Sequence, residues 1–210
     1  MTVQIQPNNV TDILVSPHKK WDKFAAHWIS QIASPPVLMT VTAILGAATL
    51  STTEAWRWAL IYSFIAVMLP LLYVVWLLKH GKVTDLHLVI RAERIKPLIF
   101  SLICAGFVWG MMQIYMAPNL LLVLAALNFM QTTIFLAITF YWKISAHSAA
   151  ASILALVVLY TTGLVAILIL GIIPLVAWAR IHLSRHTLMQ TIAGAGLGSL
   201  IFSLAVLIYS

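Results

Sequence analysis

Charged residues are scarce in this chain of 210 residues. Asp, Glu, Lys and Arg make up 8% of it, against about 25% in a soluble globular domain, while hydrophobic residues make up 62%. A water-soluble fold of this length could not bury so much apolar surface. The composition therefore predicts an all-α integral membrane protein, in which the bilayer is the solvent for most side chains.

Cysteine is also scarce, and the start of the chain has no pattern typical of a secretory signal. Cys104 is the single cysteine, so an intrachain disulfide is excluded. The first residues lack a basic start followed by an apolar core, and we expect a polar tail there. Residues 19–34 mix charged and aromatic side chains, which predicts an amphipathic helix at the membrane interface. We therefore divide the chain into this tail with its helix, residues 1–34, and one transmembrane domain, residues 35–210.

Long apolar runs predict a bundle of six to seven transmembrane helices. One crossing takes about 20 helical residues. Five expected spans lie near residues 35–50, 56–78, 97–116, 119–142 and 191–209. The apolar residues 148–179 are too many for one crossing, so we expect two short helices there with a turn near Thr161, Thr162 and Gly163. The number of spans is six instead of seven if residues 35–50 form a re-entrant segment, which enters and leaves the membrane on the same side.

Basic residues fall almost entirely on one side of the seven-span arrangement. Of the twelve lysines and arginines, only Arg57 falls on the other side. The positive-inside rule makes the basic side cytoplasmic. We expect a multi-pass protein of a prokaryotic plasma membrane.

Three polar segments share that basic side: residues 79–96, 143–147 and 180–190. Arginine forks in such segments suit phosphate, because they donate paired, charge-assisted hydrogen bonds. Ser145 opens a helix, where free N–H groups attract an anion, and the small Ala146 lets the backbone approach it. Histidines supply nucleophilic or acid–base chemistry near neutral pH. The residues alone thus predict a phosphate site at a membrane surface.

The spacing within these segments resembles a known family. Ile144-Ser145-Ala146-His147 is similar to the Pro-Ser-Gly-His motif of the type-2 phosphatidic acid phosphatase superfamily, which also includes vanadium haloperoxidases. Arg180, five residues, His186 and a trailing Ala-Gly resemble that superfamily's third motif. Its lysine–arginine–proline segment is matched more loosely, by Lys82, Arg91, Arg94 and Pro97.

The third motif differs in one position that matters for chemistry. Gln190 stands where the superfamily has Asp, and a subset with His-Thr, two residues and Gln resembles this ending. His186 and Gln190 are four residues apart on a predicted helix, so their side chains can touch. The glutamine oxygen accepts the hydrogen bond that a carboxylate would accept, but it brings no charge.

The resemblance implies a role for each matching residue. His186 would attack phosphorus and form a phosphohistidine, His147 would protonate the leaving oxygen, and Gln190 would orient His186. The implied phosphate-binding residues are Lys82, Arg91, Arg94, Ser145, Ala146 and Arg180. Because cations can stabilise the phosphoryl charge, we expect no metal and no other cofactor. The expected partners are the bilayer and a lipid phosphate or diphosphate, with polyprenyl diphosphate the best guess, and no nucleic acid.

Other interpretations compete with a phosphatase. The same scaffold could bind a prenyl diphosphate for prenyl transfer or cyclisation. A transporter would require ionisable residues at mid-membrane, and the expected spans contain almost none. Ser145 also suits a plain helix N-cap, and Gln190 a partner for a backbone group. We expect Lys96, Lys143 and Arg185 to be topology signals, and Gly194 to Gly198 to serve close helix packing.

Overall fold

A computed structural model of the chain describes residues 17–86 and 88–209, and all regular structure there is helical. Residues 1–16 of the expected tail lie outside the described residues. The α-helices are α1 (Pro17–Ile32), α2 (Pro35–Leu50), α3 (Thr53–Tyr62), α4 (Leu69–Lys79), α5 (Ile95–Ile114), α6 (Asn119–Thr139), α7 (Ala146–Thr162), α8 (Ile172–His182) and α9 (Leu188–Tyr209). A π-helical turn, Ser63–Met68, joins α3 to α4, and 3-10 helices at Ala92–Arg94 and Leu164–Gly171 lead into α5 and α8.

Five continuous helical segments of the described chain are long and apolar enough to cross a membrane. They are Thr53–Lys79, Ala92–Ile114, Asn119–Thr139, Leu164–His182 and Leu188–Ile208. A sixth is possible if α1 and α2, which meet at a bend of 49°, act as one broken span. The all-helical expectation is thus confirmed for these residues. The predicted turn near Gly163 is also present, because α7 ends at Thr162 and Gly163 has a φ of 77°.

Local sequence explains where α2, α3 and α4 begin and end. Proline in the first turn of α2 is pre-set for a helix and loses no bonded N–H there. Ser51 ends α2 in a left-handed conformation, and the Thr52 hydroxyl caps α3 by accepting the Ala55 N–H. Pro70 cannot donate its backbone bond and crowds the preceding turn. The chain adapts with the π-helical turn, in which the Leu69 N–H bonds the Phe64 carbonyl.

Helix α7 lies at the centre of the part of the bundle that carries the polar segments. It contacts α2, α8 and α9, and its buried residues are mainly small, including Ser148, Ala149, Ala151 and Ser152. Seventeen residues span only about 26 Å at roughly 1.5 Å per residue, less than a hydrocarbon core of about 30 Å. Its first turn, with His147 and Ser148, is buried among other helices, whereas Thr162 at its other end is exposed.

Glycines on α9 set its distance from α7. A Cβ atom at Gly194 would overlap the backbone carbonyl of Ser145, and one at Gly198 would lie 2.5 Å from the carbonyl oxygen of Ala149. Both pairs are four residues apart, so one face of α9 lies directly on one face of α7. The expected close packing in this segment is therefore confirmed. It brings the start of α9 next to the start of α7.

Candidate functional site

The three polar segments meet at one end of the helical bundle. Three hydrogen bonds join them in pairs: Arg94 to the Ile144 carbonyl (3.4 Å), Arg185 to Asp85 (3.1 Å) and the Ser145 N–H to the Gln190 carbonyl (3.1 Å). Arg91 also donates to the carbonyl of Tyr141 (2.8 Å), two residues before the second segment. The common location that the charge pattern predicts is therefore present in the described residues.

A tight turn after α8 fixes the position of His186 relative to Arg180. Ser184 adopts a left-handed conformation with a φ of 53°. The Ser184 N–H bonds the Ile181 carbonyl at 2.9 Å, and the Arg185 N–H bonds the Arg180 carbonyl at 3.0 Å. These two bonds form a Schellman motif, which reverses the chain at the helix end. The His186 N–H also contacts the Arg180 carbonyl, at 3.3 Å. The five residues between Arg180 and His186 are therefore the number that this turn needs to bring the His186 backbone back to the Arg180 carbonyl.

Gln190 holds His186 and caps α9 at the same time. Its Oε1 atom lies 3.0 Å from His186 Nδ1 and accepts the Thr187 N–H at 3.2 Å, while the Gln190 N–H donates to the Thr187 hydroxyl at 3.4 Å. The Thr187 pair is a capping box. A backbone N–H only donates, so the atom facing it is the amide oxygen. His186 Nδ1 must then carry the proton, which leaves an unprotonated lone pair on Nε2.

The surroundings of His186 favour its neutral form. Its side chain is buried, at 7% exposure. Burial, together with the charges of Arg180, Arg94 and Lys143, lowers the pKa of His186 to about 3, although the Gln190 hydrogen bond opposes this shift. The imidazole is therefore neutral at pH 7, and its Nε2 lone pair is available to an electrophile.

Positive charge is concentrated around His186. Burial lowers the pKa of Lys143, and so do the charges of Arg94, Arg180 and Arg185. Asp85 forms an ion pair with Arg185 at 3.1 Å. A group of like charges in a partly buried place is costly without a counter-ion, so this arrangement favours an anion. We expected Lys143 and Arg185 to be topology signals, and the structure adds both to the cationic group.

Arg180 is the most deeply buried of these cations, with 2% exposure. It donates a hydrogen bond of 2.7 Å to the hydroxyl of Ser30, which is equally buried on α1. Its Nε atom is buried and has no hydrogen-bond partner among the described residues. Sequence reasoning missed Ser30, because a serine 150 residues away carries no local signal of this contact.

Ser145, Ala146 and His147 form the start of α7, beside His186 and Gln190. The Ser145 hydroxyl accepts the N–H and the hydroxyl proton of Ser148, at 3.3 and 3.0 Å, so it is an N-cap. Neither bond uses the proton of the Ser145 hydroxyl itself, so the capping role does not occupy this donor. His147 is buried in the first helical turn, at 7% exposure.

The cations of the first motif, Lys82, Arg91 and Arg94, do not all lie at the site. Arg94 is half-buried, and its charge acts on both His186 and Lys143. Lys82 is exposed, with Nζ 4.6 Å above the ring of Trp76. Arg91 is also exposed, and it donates to the Tyr141 carbonyl. Of the three cations in the first motif, the geometry brings Arg94 to the site and leaves Lys82 and Arg91 at its edge.

Acidic residues near these segments have structural partners. Asp85 pairs with Arg185, and Glu93 accepts hydrogen bonds from the backbone and side chain of Thr84. Within residues 17–86 and 88–209, no group of three or more His, Cys, Asp or Glu side chains could hold a metal ion. A cavity of about 290 Å³ lies at the other end of α6 and α7, near Asn119 and Tyr160, away from the cationic group.

Comparison of the sequence with known protein families, with curated proteins and with solved structures gives no match. The family resemblance therefore stands on the motif residues, and the chemistry of the site stands on its geometry.

Proposed function

We propose that this chain is a membrane-embedded phosphatase for a lipid phosphate or diphosphate, with a polyprenyl diphosphate as the best candidate. The observation that carries the proposal is the state of His186: neutral, with Nδ1–H held by Gln190 and Nε2 unprotonated, amid a group of cations. Phosphoryl transfer to histidine requires an unprotonated imidazole nitrogen beside positively charged side chains that can hold the phosphoryl oxygens.

The proposed reaction has two steps. The Nε2 lone pair of His186 attacks phosphorus, and the bond between phosphorus and the leaving oxygen breaks while His147 gives that oxygen a proton. Water then attacks the phosphohistidine, His147 takes a proton from the water, and the phosphorus–nitrogen bond breaks to release phosphate. Arg180, Arg94 and Lys143 hold the phosphoryl oxygens through both steps, with Ser145 and the Ala146 N–H adding hydrogen bonds.

The proposed setting is a bilayer crossed six or seven times, with α1 at the interface and the site on the cytoplasmic face of a prokaryotic plasma membrane. Five apolar helices of crossing length support the membrane location. The sidedness rests on the distribution of basic residues. A site at the bilayer surface suits a substrate whose head is polar and whose chain stays in lipid.

Gln190 favours a second candidate function, which is prenyl transfer or cyclisation without hydrolysis. The uncharged amide cannot balance an imidazolium, so a bound prenyl diphosphate could instead ionise and give a transferred or cyclised product. The two functions differ in their products, since only hydrolysis releases a prenyl alcohol or prenyl phosphate in proportion to the phosphate formed.

The test is to incubate the purified chain with a panel of lipid phosphates and diphosphates, with and without EDTA. We expect phosphate release that survives EDTA, a trappable phosphohistidine in the wild type, and loss of both in His186→Ala with substrate binding retained. His80→Ala is the control, because His80 is exposed and bonds only its own helix, through the Trp76 carbonyl. Activity that EDTA abolishes and Mg²⁺ restores, or full activity in His186→Ala, would refute the histidine mechanism.

A further inference from the structure

Helix α1 has two unlike faces. Its exposed face carries a ladder of aromatic rings, in which Trp21 and Trp28 each lie 6.2 Å from Phe24 between ring centroids. Between residues 21 and 32, its buried residues are the small Ala26 and Ser30, and the helix contacts α8. Aromatic rings are typical of the membrane–water interface. The small residues let the other side of the same helix approach the core of the bundle closely.

Ser30 is the polar residue on that buried side, and it meets Arg180. The 2.7 Å bond runs from a terminal guanidinium nitrogen to the Ser30 hydroxyl, with both side chains 2% exposed. A guanidinium is planar and holds its five donors in a fixed fork, so anchoring one nitrogen orients the others. The buried Nε–H, which has no partner in the described chain, is among the donors oriented in this way.

We infer that Ser30 is a positioning residue for Arg180 and that helix α1 is therefore part of the phosphate site. The inference rests on the proposed function, since it takes the ligand of Arg180 to be a phosphoryl group. It adds a segment that lies outside all three motifs and 150 residues from Arg180 along the chain.

The choice of a hydroxyl partner has a physical consequence. A carboxylate at position 30 would orient Arg180 equally well but would neutralise its charge, and the anion would then have to compete for it. A hydroxyl accepts one hydrogen bond and leaves the full positive charge for the ligand. Asp85, a carboxylate at this end of the bundle, pairs with Arg185 instead.

The test compares Ser30→Thr with Ser30→Val in the full chain. Threonine and valine have nearly the same shape, and only threonine has a hydroxyl. Any loss of stability caused by the added methyl group should therefore be the same in both variants. We expect Ser30→Val to bind inorganic phosphate about tenfold more weakly than Ser30→Thr by titration calorimetry, as for loss of a hydrogen bond to a charged group. It should also raise KM for a lipid phosphate more than it lowers kcat. Ser203→Ala is the control, because the Ser203 hydroxyl is exposed and bonds its own helix.

Equal phosphate affinity in the Thr and Val variants overturns the inference, even if the Val variant melts at a lower temperature. If both larger side chains prevent folding, Ser30→Ala against the wild type makes the same comparison without added volume, and unchanged affinity there is equally decisive. A wild type that binds no phosphate overturns the proposed function together with the inference. A wild type that binds and hydrolyses, with matching Thr and Val variants, overturns the inference alone.

Discussion

At His186, different neighbours set the charge and the tautomer of the imidazole. Burial and nearby cations hold the pKa at about 3, while Gln190 places the proton on Nδ1. The interval of four residues predicts that His186 and Gln190 touch. That Thr187 fixes which end of the amide faces the histidine could not be read from spacing, because it depends on how the start of α9 is capped.

The depressed pKa of His186 predicts a dependence of stability on pH. In the unfolded chain a histidine titrates near 6.5, so between about pH 6.5 and pH 3 the unfolded state binds more protons than the folded state. Acidification through this window should therefore lower the free energy of unfolding. We expect a smaller loss in His186→Asn, which keeps a side-chain donor without the titration. Thermal unfolding at a series of pH values measures the difference, and a His186 already protonated at pH 6 by NMR would contradict it.

Replacing Gln190 by Glu tests the orienting role. Glutamate has the same length, keeps both hydrogen bonds of Oε1 and adds a negative charge at a helix start, where it is favourable. We expect a higher pKa for His186 and unchanged or faster turnover. The shorter Gln190→Asp, which restores the acid found in the resembling superfamily, should preserve turnover if it still reaches Nδ1.

Gln190→Leu removes the oxygen that accepts the His186 hydrogen bond, whereas Gln190→Glu keeps it. It should slow turnover by up to about 10⁴-fold, the loss seen when the analogous carboxylate is removed from a serine protease. Turnover in Gln190→Leu equal to that of wild type would show that Gln190 only caps α9.

On the scale of helices, the site depends on how closely α9 packs on α7. Both Gly194 and Gly198 face backbone carbonyls of α7, whereas a Cβ atom at Gly196 would meet nothing within 4 Å. The sequence predicts close packing in this segment, but it does not tell which glycines make the contact.

Alanine substitutions on α9 separate these glycines. Gly194→Ala should destabilise the fold by about 1–3 kcal/mol or more and reduce activity, since the added methyl pushes Ser145 away from Gln190. Gly196→Ala is the matched control and should be neutral, or stabilising by up to about 1 kcal/mol, because alanine is the better helix former. Thermal unfolding and turnover of the two variants check this. Equal behaviour would mean that the α7–α9 contact is looser than described.

Across the whole molecule, the polar segments gather at one end of the bundle although they are far apart in sequence. Their cations attract an anion collectively, whatever the contribution of each one. Arg57, on α3, lies near the opposite end of the helices. This distribution makes the membrane orientation testable without reference to activity.

Single cysteines in a Cys104→Ala background should show that orientation. We predict that exposed positions beside the three segments, Leu86→Cys, Trp142→Cys and Met189→Cys, react with an impermeant maleimide from one side of the membrane. Tyr115→Cys, exposed at the far end of α5, should react from the other side. Opposite labelling of any two of the first three would exclude a shared site.

The sequence by itself determined what depends on neighbours along the chain. Apolar length gave the helices of crossing size, Gly163 divided the long run, and the intervals from Arg180 to His186 and from His186 to Gln190 placed those groups together. These features follow from the fixed rise, turn and capping geometry of a helix, so spacing alone is sufficient to predict them.

Only the tertiary structure decided which distant groups join the site. Arg94 rather than Lys82 acts on His186, Lys143 belongs to the cationic group, and Ser30 holds Arg180 from a helix predicted only to lie at the membrane interface. Each of these depends on where one helix docks on another. Docking is set by the summed packing of many small side chains across the bundle, and no local pattern in the sequence records that sum.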